Sequence, residues 1–177
     1  MTANIPQLAC NSLGYYIAWL SLIMLPQQDK AMLAYTISGT YIVIHFLLSK
    51  HKKIDLLLLI LFPIIGMIVD GTLTKLGIFQ FSTTTPYIPI PFWLLLIWAI
   101  FSLLLNQSLL WLQRKPKIAI IMGALSAPLS YYAGYKLGAV NYADPIQTLG
   151  TISIIWAILL PILCLMNKRL HTSKMLY

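Results

Sequence analysis

The sequence predicts an all-α, polytopic membrane protein: a bundle of about six transmembrane helices with both chain termini on the same side. Hydrophobic residues make up 59% of the 177 residues and charged residues only 9%, whereas soluble domains carry about 25% charged residues. The apolar residues form long runs, and most lysines and arginines lie between alternate runs. A chain this short and this apolar is typical of a protein that uses the bilayer as its solvent.

Six apolar runs have the length of a transmembrane helix, because about 20 residues at a rise of about 1.5 Å each cross a hydrocarbon core of about 30 Å. Short polar, charged or proline-containing turns separate them, and the longest connection is residues 74–91. No polar stretch is long enough to fold separately, so 1–177 is predicted to be a single transmembrane domain. The predicted helices cover about 5–25, 31–49, 54–73, 92–112, 118–138 and 148–167.

The basic residues predict the orientation of the bundle. Nine of them lie in the turns 50–53 and 113–117 and in the tail 168–174, whereas only Lys30, Lys75 and Lys136 lie at the other helix ends. Because the lysine- and arginine-rich side of a membrane protein faces the cytoplasm, both termini are predicted to be cytoplasmic. The net charge of +8 is therefore interpreted as a topology signal that also attracts anionic lipid headgroups, and no nucleic-acid partner is predicted.

Metal, cofactor and nucleophile signatures are missing from the sequence. Cys10 and Cys164 lie in apolar runs without a second cysteine or a histidine at metal spacing, which favours simple packing roles. The sequence contains no phosphate-binding glycine loop, no G-x-S-x-G and no H-E-x-x-H. It therefore predicts no metal and no cofactor, and it leaves open whether the protein is an enzyme.

An inner level of polar residues is predicted within the membrane. Asn11, His45 and Asn106 all lie roughly 7–12 Å from the basic side at about 1.5 Å per residue, and Ser108 follows on the fourth helix. Such groups are costly in lipid, so they are expected to face each other. One hypothesis is a site in which His45 carries a proton. The alternative, which we favour, is hydrogen bonding that holds the helices together.

An outer level is predicted from Asp70 and Lys136, which lie roughly 24–27 Å from the basic side by the same count. Their depth makes them candidates for an ion pair. One interpretation is a polar headgroup or proton site that opens outward. The alternative is a structural salt bridge, or a Lys136 that extends to the interface.

The connection 74–91 is predicted to lie on the outer interface as an apolar lid. Phe79 and Phe81 alternate with polar residues, which predicts a short strand, and the spaced prolines exclude a helix over 86–91. The alternative is an ordinary aromatic belt. The candidate outer pocket comprises Asp70, Lys136, Phe79, Phe81, Trp93 and Tyr131.

Small residues recur along the fifth helix at Ala119, Gly123 and Ala127, and the pattern continues to Gly134. Small residues on one face allow helix backbones to approach closely. The pattern predicts close packing of this helix and a central position in the bundle.

Four segments between Asn11 and Val140 carry a resemblance to a known family. They are Asn11 with Gly14 and Trp19, Asp70 with Leu76-Gly77-Ile78-Phe79 and Phe81, Pro91-Phe92-Trp93 with Trp98 and Ser108, and Ala127-Pro128-Leu129-Ser130-Tyr131 with Leu137-Gly138-Ala139. These segments resemble the bacterial family catalogued as domain of unknown function 2878. The likeness implies a small inner-membrane protein of Gram-negative bacteria, and no catalytic residue is carried over, because no activity is established for the family. Its genes often lie beside genes for fatty-acyl phospholipid modification, which implies a role with membrane lipids.

Three functions remain open at this point. The first is an inner-membrane protein that binds a membrane lipid or a lipid-modifying enzyme partner. The second is a small-molecule transporter or the substrate-binding subunit of one, since six helices and cytoplasmic termini fit such subunits. The third is a membrane enzyme acting on acyl chains, with His45 or Asp70 as acid or base.

Overall fold

The computed structural model describes residues 5–83 and 90–173, and these residues form six α-helices and one pair of short strands. Five helices are long and apolar enough to cross a membrane, and the fourth is apolar but shorter. The predicted fold class is therefore confirmed: the chain is a multi-pass helical membrane protein. The elements are α1 (Ile5–Met24), α2 (Ala31–Leu48), α3 (Lys52–Lys75), β1 (Gln80–Phe81), α4 (Phe92–Asn106), α5 (Pro116–Lys136), β2 (Val140–Asn141) and α6 (Pro145–Ser173).

The fourth helix is shorter than the predicted 92–112. It ends at Asn106, where the carbonyl of Leu104 accepts hydrogen bonds from the N–H groups of both Gln107 and Leu109. This irregular turn interrupts the α-helical ladder, and the chain resumes as a 3₁₀ helix over Leu110–Arg114. The break directs the side chains of Asn106 and Ser108 into the bundle.

The sixth helix is longer than the predicted 148–167. Pro145 begins it, and the Asp144 carboxylate accepts the N–H groups of Ile146 and Gln147 at 2.9 and 3.0 Å, which caps the first turn. The helix continues to Ser173, beyond the apolar segment. Its last turn thereby carries His171 to the end of the bundle.

The centre of the bundle is α4, and the predicted central position of the fifth helix is wrong. Most residues of α4 are buried, and it contacts α1, α2 and α3. By contrast, α5 packs chiefly on α6 and leaves large side chains such as Leu125 and Leu129 on the surface. The predicted close packing is confirmed, because a Cβ atom at Gly123 would collide with the backbone carbonyl of Trp156 on α6.

The two strands join the ends of α3 and α5. Each of these helices stops at the same Lys-Leu-Gly sequence, and Gly77 and Gly138 adopt φ angles of +74° and +77°, which glycine allows without strain. The antiparallel strands β1 and β2 then pair Phe81 with Val140. The predicted short strand is thus confirmed, whereas residues 84–89 of the predicted lid lie outside the described residues.

The bundle has two chemically different ends. The basic end carries the turns 50–53 and 113–117 and the last turns of α6, and the opposite end, here called the strand end, carries β1 and β2. The two ends follow from the alternating direction of the helices. The cytoplasmic location of the basic end stays a prediction.

Candidate functional site

The predicted inner residues meet at the basic end around Asn11. The Tyr41 hydroxyl and the Nδ1 atom of His45, one turn apart on α2, lie 3.0 and 2.9 Å from the Asn11 Oδ1 atom. The Asn11 amide nitrogen donates to the Ser108 hydroxyl at 2.9 Å, and that hydroxyl donates to the Leu8 carbonyl at 3.2 Å. Asn11 therefore connects α1 to α2 and to the irregular turn after α4.

Asp55, which the sequence analysis missed, completes this group. It is fully buried in the first turn of α3, its Oδ1 atom accepts the Asn106 amide at 2.6 Å, and its Oδ2 atom lies 3.7 Å from His45 Nε2. It was missed because it directly follows a lysine-rich turn, where an aspartate normally faces water. Asp55 lies two residues after Lys53, so on a helix its side chain points away from the basic surface. This spacing is the sequence pattern that could have identified it as a buried residue.

His171 extends the group to α6. Its Nε2 atom lies 2.6 Å from Asn106 Oδ1, and its ring meets the ring of His51 edge-on at 5.1 Å. Five helices thus contribute to one largely buried polar group, held by hydrogen bonds and by the 3.7 Å contact between His45 and Asp55, which we call the basic-end network. Its members are Asn11, Tyr41, His45, Asp55, Asn106, Ser108 and His171.

The predicted outer residue Asp70 is also fully buried, but its partners are neutral. Its Oδ2 atom accepts the indole N–H of Trp98 at 2.8 Å, and its Oδ1 atom accepts a short hydrogen bond from the Tyr131 hydroxyl. We call these three residues the Asp70 cluster. Asp70 and Tyr131 each lie five residues before the Lys-Leu-Gly end of their helix, so the matching helix ends hold both side chains at one height.

The position of Trp98 depends on Gly66. A Cβ atom at Gly66 would overlap the Trp98 indole ring, so only glycine leaves room for it. Gly66 lies one turn before Asp70, on the same face of α3. Gly66 therefore leaves room for the indole ring, and Asp70 accepts the hydrogen bond from its N–H.

Lys136 does not pair with Asp70. The described residues contain one ion pair, between His45 and Asp55. The Lys136 ammonium instead lies 5.4 Å from the Tyr132 ring centroid and 6.0 Å from that of Tyr135. The expectation of an ion pair fails because Lys136 is on an exposed face of α5 at the strand end, where a long side chain reaches the surface, while Asp70 points into the bundle.

The other outer candidates form a layer of aromatic rings beside the Asp70 cluster. The Phe79 ring lies 5.3 Å from the Tyr131 ring and 5.2 Å from the Phe81 ring. Phe81 meets Trp93 edge-on at 5.6 Å, and the Trp93 indole donates to the Thr83 hydroxyl at 2.9 Å. The structure therefore brings five of the six predicted outer residues together and excludes Lys136 from their contacts.

A cavity of about 280 Å³ lies between α1, α4, α5 and α6, next to this layer. Ligand sites occupy about 300–1,000 Å³, so the volume of this cavity is just below that range. Nine of the 22 described residues that line it are aromatic, and they include Tyr131, Phe81 and Trp93 from the predicted pocket. The other aromatic side chains of the wall are Tyr15, Tyr16, Trp19, Trp98, Phe101 and Trp156.

Three features describe the shape of this aromatic cavity. Its lining runs from Ser12 to Ile23 on α1 and from Met122 to Gly134 on α5, which corresponds to about 16–18 Å along the helix axes. Phe81 and Val140 of the strand pair line its strand end. The lining residues Tyr16 and Ser126 are exposed on α1 and α5, so the cavity opens sideways between these two helices.

Trp156 contributes a polar group, its indole N–H, to the wall of the cavity. Its ring stacks on Trp98 at 5.2 Å, and its buried N–H lies near the Tyr131 hydroxyl without the geometry of a full hydrogen bond. The stack connects α4 to α6 across the wall. The wall thus combines apolar rings with a few hydroxyl and N–H groups, a combination that suits an amphipathic ligand.

Metal chemistry has no evident centre in the part of the chain that the structure describes. No group of three or more His, Cys, Asp or Glu side chains there is placed so that it could hold a metal ion. Cys10 is exposed and Cys164 is buried, and both are free thiols. What the two polar clusters offer chemically is hydrogen bonding and proton binding.

Comparison with known proteins decides the family. Residues 8–162 match the family described as protein of unknown function (DUF2878). The chain belongs to this family. The matched residues extend from α1 through most of α6. They include the Asp70 cluster, the aromatic cavity and every member of the basic-end network except His171. Neither a curated protein nor a solved structure matches the chain.

Proposed function

We propose that this DUF2878 protein binds a membrane lipid, with the lipid's apolar chain in the aromatic cavity. The observation that carries the proposal is the sideways opening between α1 and α5, because a ligand dissolved in the bilayer can enter there without crossing water. The exposed fraction of Tyr16 at this opening is 61%. A cavity that served a water-soluble ligand would be expected to open at an end of the bundle instead.

The shape and chemistry of the cavity support a chain-like ligand. A length of about 16–18 Å parallel to the helices suits an extended hydrocarbon chain that lies along the lipid direction. Apolar and aromatic side chains supply most of the wall and gain free energy by covering hydrocarbon. Hydroxyl groups in the wall, among them those of Ser12 and Ser130, suit a ligand that carries an ester or hydroxyl oxygen.

The setting of this binding is the inner membrane of a bacterium, with both termini cytoplasmic. The lysines and arginines gathered at the basic end support this orientation. A lipid-modifying enzyme is the partner class that fits a lipid-holding protein. It would reach the bound lipid from the side of the bilayer.

The test compares two phenylalanine variants of neighbouring residues on α5. Ser130→Phe places a ring in the cavity, and Leu129→Phe places the same ring on a surface that is 68% exposed. Each full-length protein is purified in mild detergent, and the retained lipids are quantified by mass spectrometry. We expect the wild type and Leu129→Phe to retain one lipid class and Ser130→Phe to lose most of it.

Two results would contradict the proposal. Equal lipid retention by both variants would mean that lipid is held on the outer surface and not in the cavity. A water-soluble molecule retained by the wild type and lost from Ser130→Phe would replace the lipid hypothesis by transport. Correct insertion of each variant is checked by its yield and its helical circular dichroism.

A further inference from the structure

The donor and acceptor roles around His45 are fixed by its neighbours. The Ser108 hydroxyl uses its only hydrogen on the Leu8 carbonyl, so it must accept from the Asn11 amide nitrogen. The Asn11 Oδ1 atom is then the group that faces Tyr41 and His45. Because an amide oxygen only accepts, the Nδ1 atom of His45 carries a hydrogen.

The second nitrogen of His45 faces a carboxylate. Its Nε2 atom lies 3.7 Å from the Oδ2 atom of Asp55, and the two side chains are 3% and 0% exposed. This Oδ2 atom has no hydrogen-bond partner of ordinary geometry among the described residues, and Ser49 is the other polar side chain near it. If Nε2 and Oδ2 both lacked a proton, two electron-rich atoms would face each other within the membrane, which is strongly unfavourable.

We propose that His45 and Asp55 bind one proton as a pair, and that this membrane-embedded proton site connects to the basic end through Asn106 and His171. The proton lies on Nε2, giving an imidazolium beside a carboxylate, or on Oδ2, giving a neutral imidazole beside a carboxylic acid. Either arrangement makes the pair neutral overall. The site is separate from the aromatic cavity and does not depend on lipid binding.

The surroundings of the pair explain why the proton is held. Tyr41 from α2 and Asn11 from α1 contact one side of His45, and Asn106 from α4 contacts Asp55. No lysine or arginine within the described residues lies within 4.0 Å of the Asp55 carboxylate to compensate its charge. The proton is therefore the compensating cation.

The route to solvent passes the last turn of α6. His171 holds Asn106 on one side and lines a pocket of about 640 Å³ at the basic end on the other. The other polar residues of that pocket are Ser49, Lys50, His51, Lys52 and Lys53. Asn106 is bonded to both His171 and Asp55, so Asn106 and His171 separate the shared proton from the pocket.

The proton count is measured on the full-length protein in lipid bilayers. Nitrogen-15 spectra of labelled histidine rings give the protonation of His45, which is assigned by the signal lost in His45→Gln. Infrared difference spectra between the wild type and Asp55→Asn show whether Asp55 is a carboxylic acid. We expect one of two results near neutral pH: both nitrogens of His45 protonated, or a carboxylic acid band that disappears in Asp55→Asn. A bare Nε2 together with an ionised Asp55 would overturn the proposal.

The route is tested by the rate at which deuterated water replaces the hydrogen shared by His45 Nε2 and Asp55, read from the Nε2 signal or the carboxylic acid band. His171→Ala removes the side chain between Asn106 and the pocket, and we expect several-fold faster exchange. His51→Ala serves as the matched control, because His51 lines the same pocket without a hydrogen bond to Asn106 among those the structure describes. Equal exchange in wild type and His171→Ala would overturn the route.

Discussion

Asp55 and Asp70 lie on the same helix, fifteen residues apart, which is about 22 Å along its axis. Both are fully buried in a protein that spans a membrane, yet their environments differ. Asp55 faces a histidine and belongs to a group contributed by five helices. Asp70 faces an indole and a phenol from two helices, Trp98 and Tyr131, and the rings of both partners line the aromatic cavity.

The comparison shows two ways to keep a carboxyl group inside a bilayer. At Asp55 a titratable neighbour supplies a compensating proton, so the partners are electrically coupled. At Asp70 two neutral donors supply hydrogen bonds, and no basic side chain of the described residues lies within 4.0 Å of the carboxylate. The first arrangement fastens the basic ends of the helices together, and the second fixes the rings that line the cavity.

Removing one partner of the His45–Asp55 pair is expected to have the largest effect. Asp55→Leu leaves the histidine and the Asn106 amide without their acceptor, and a broken buried pair costs about 3–5 kcal/mol. The free energy of unfolding in detergent–lipid micelles is the measurement. If the comparison holds, His45→Leu/Asp55→Leu recovers at least half of the loss, because no uncompensated charge remains.

The double variant also tests directly whether His45 and Asp55 are coupled. If it is less stable than Asp55→Leu by the full effect of His45→Leu alone, then the two residues contribute independently. The pair would then be two separate polar contacts and not one electrically coupled unit.

Asp70→Leu is expected to have an intermediate effect of about 2–3 kcal/mol, because two buried donors lose their acceptor but no charge is left behind. Tyr131→Phe, which removes only the hydroxyl, should cost about 1 kcal/mol. Both values come from the same unfolding measurement. A loss for Asp70→Leu that exceeds the loss for Asp55→Leu would reverse the comparison between the two carboxyl groups.

Lys136→Met is expected to have the smallest effect, under about 1 kcal/mol, since its ammonium makes only an exposed contact with the ring of Tyr132. Its coupling energy to Asp70 in a double-mutant cycle should be within about 0.5 kcal/mol of zero. A larger coupling would restore the ion pair that the sequence predicted. The His45–Asp55 cycle, measured under the same conditions, is the positive reference.

The depth of a polar residue could be counted from the sequence, but its partner could not. Counting along each helix grouped Asn11, His45 and Asn106, and these residues lie in one network because they are at similar distances from the basic turns. It failed for Asp70 and Lys136, since equal depth does not mean equal direction around the helix axis. It also missed Trp98, which looked like one aromatic residue among many until Gly66 showed where the ring fits.

The composition and the spacing of charges by themselves determined a multi-pass helical bundle with one basic end. Apolar runs of helical length are stable only in lipid, so this conclusion needs no knowledge of contacts. The tertiary structure decided that α4 is central, that Asp55 joins His45, and that a cavity opens between α1 and α5. These depend on the rotation of each helix about its axis, which is set by many small packing contacts between residues distant in sequence.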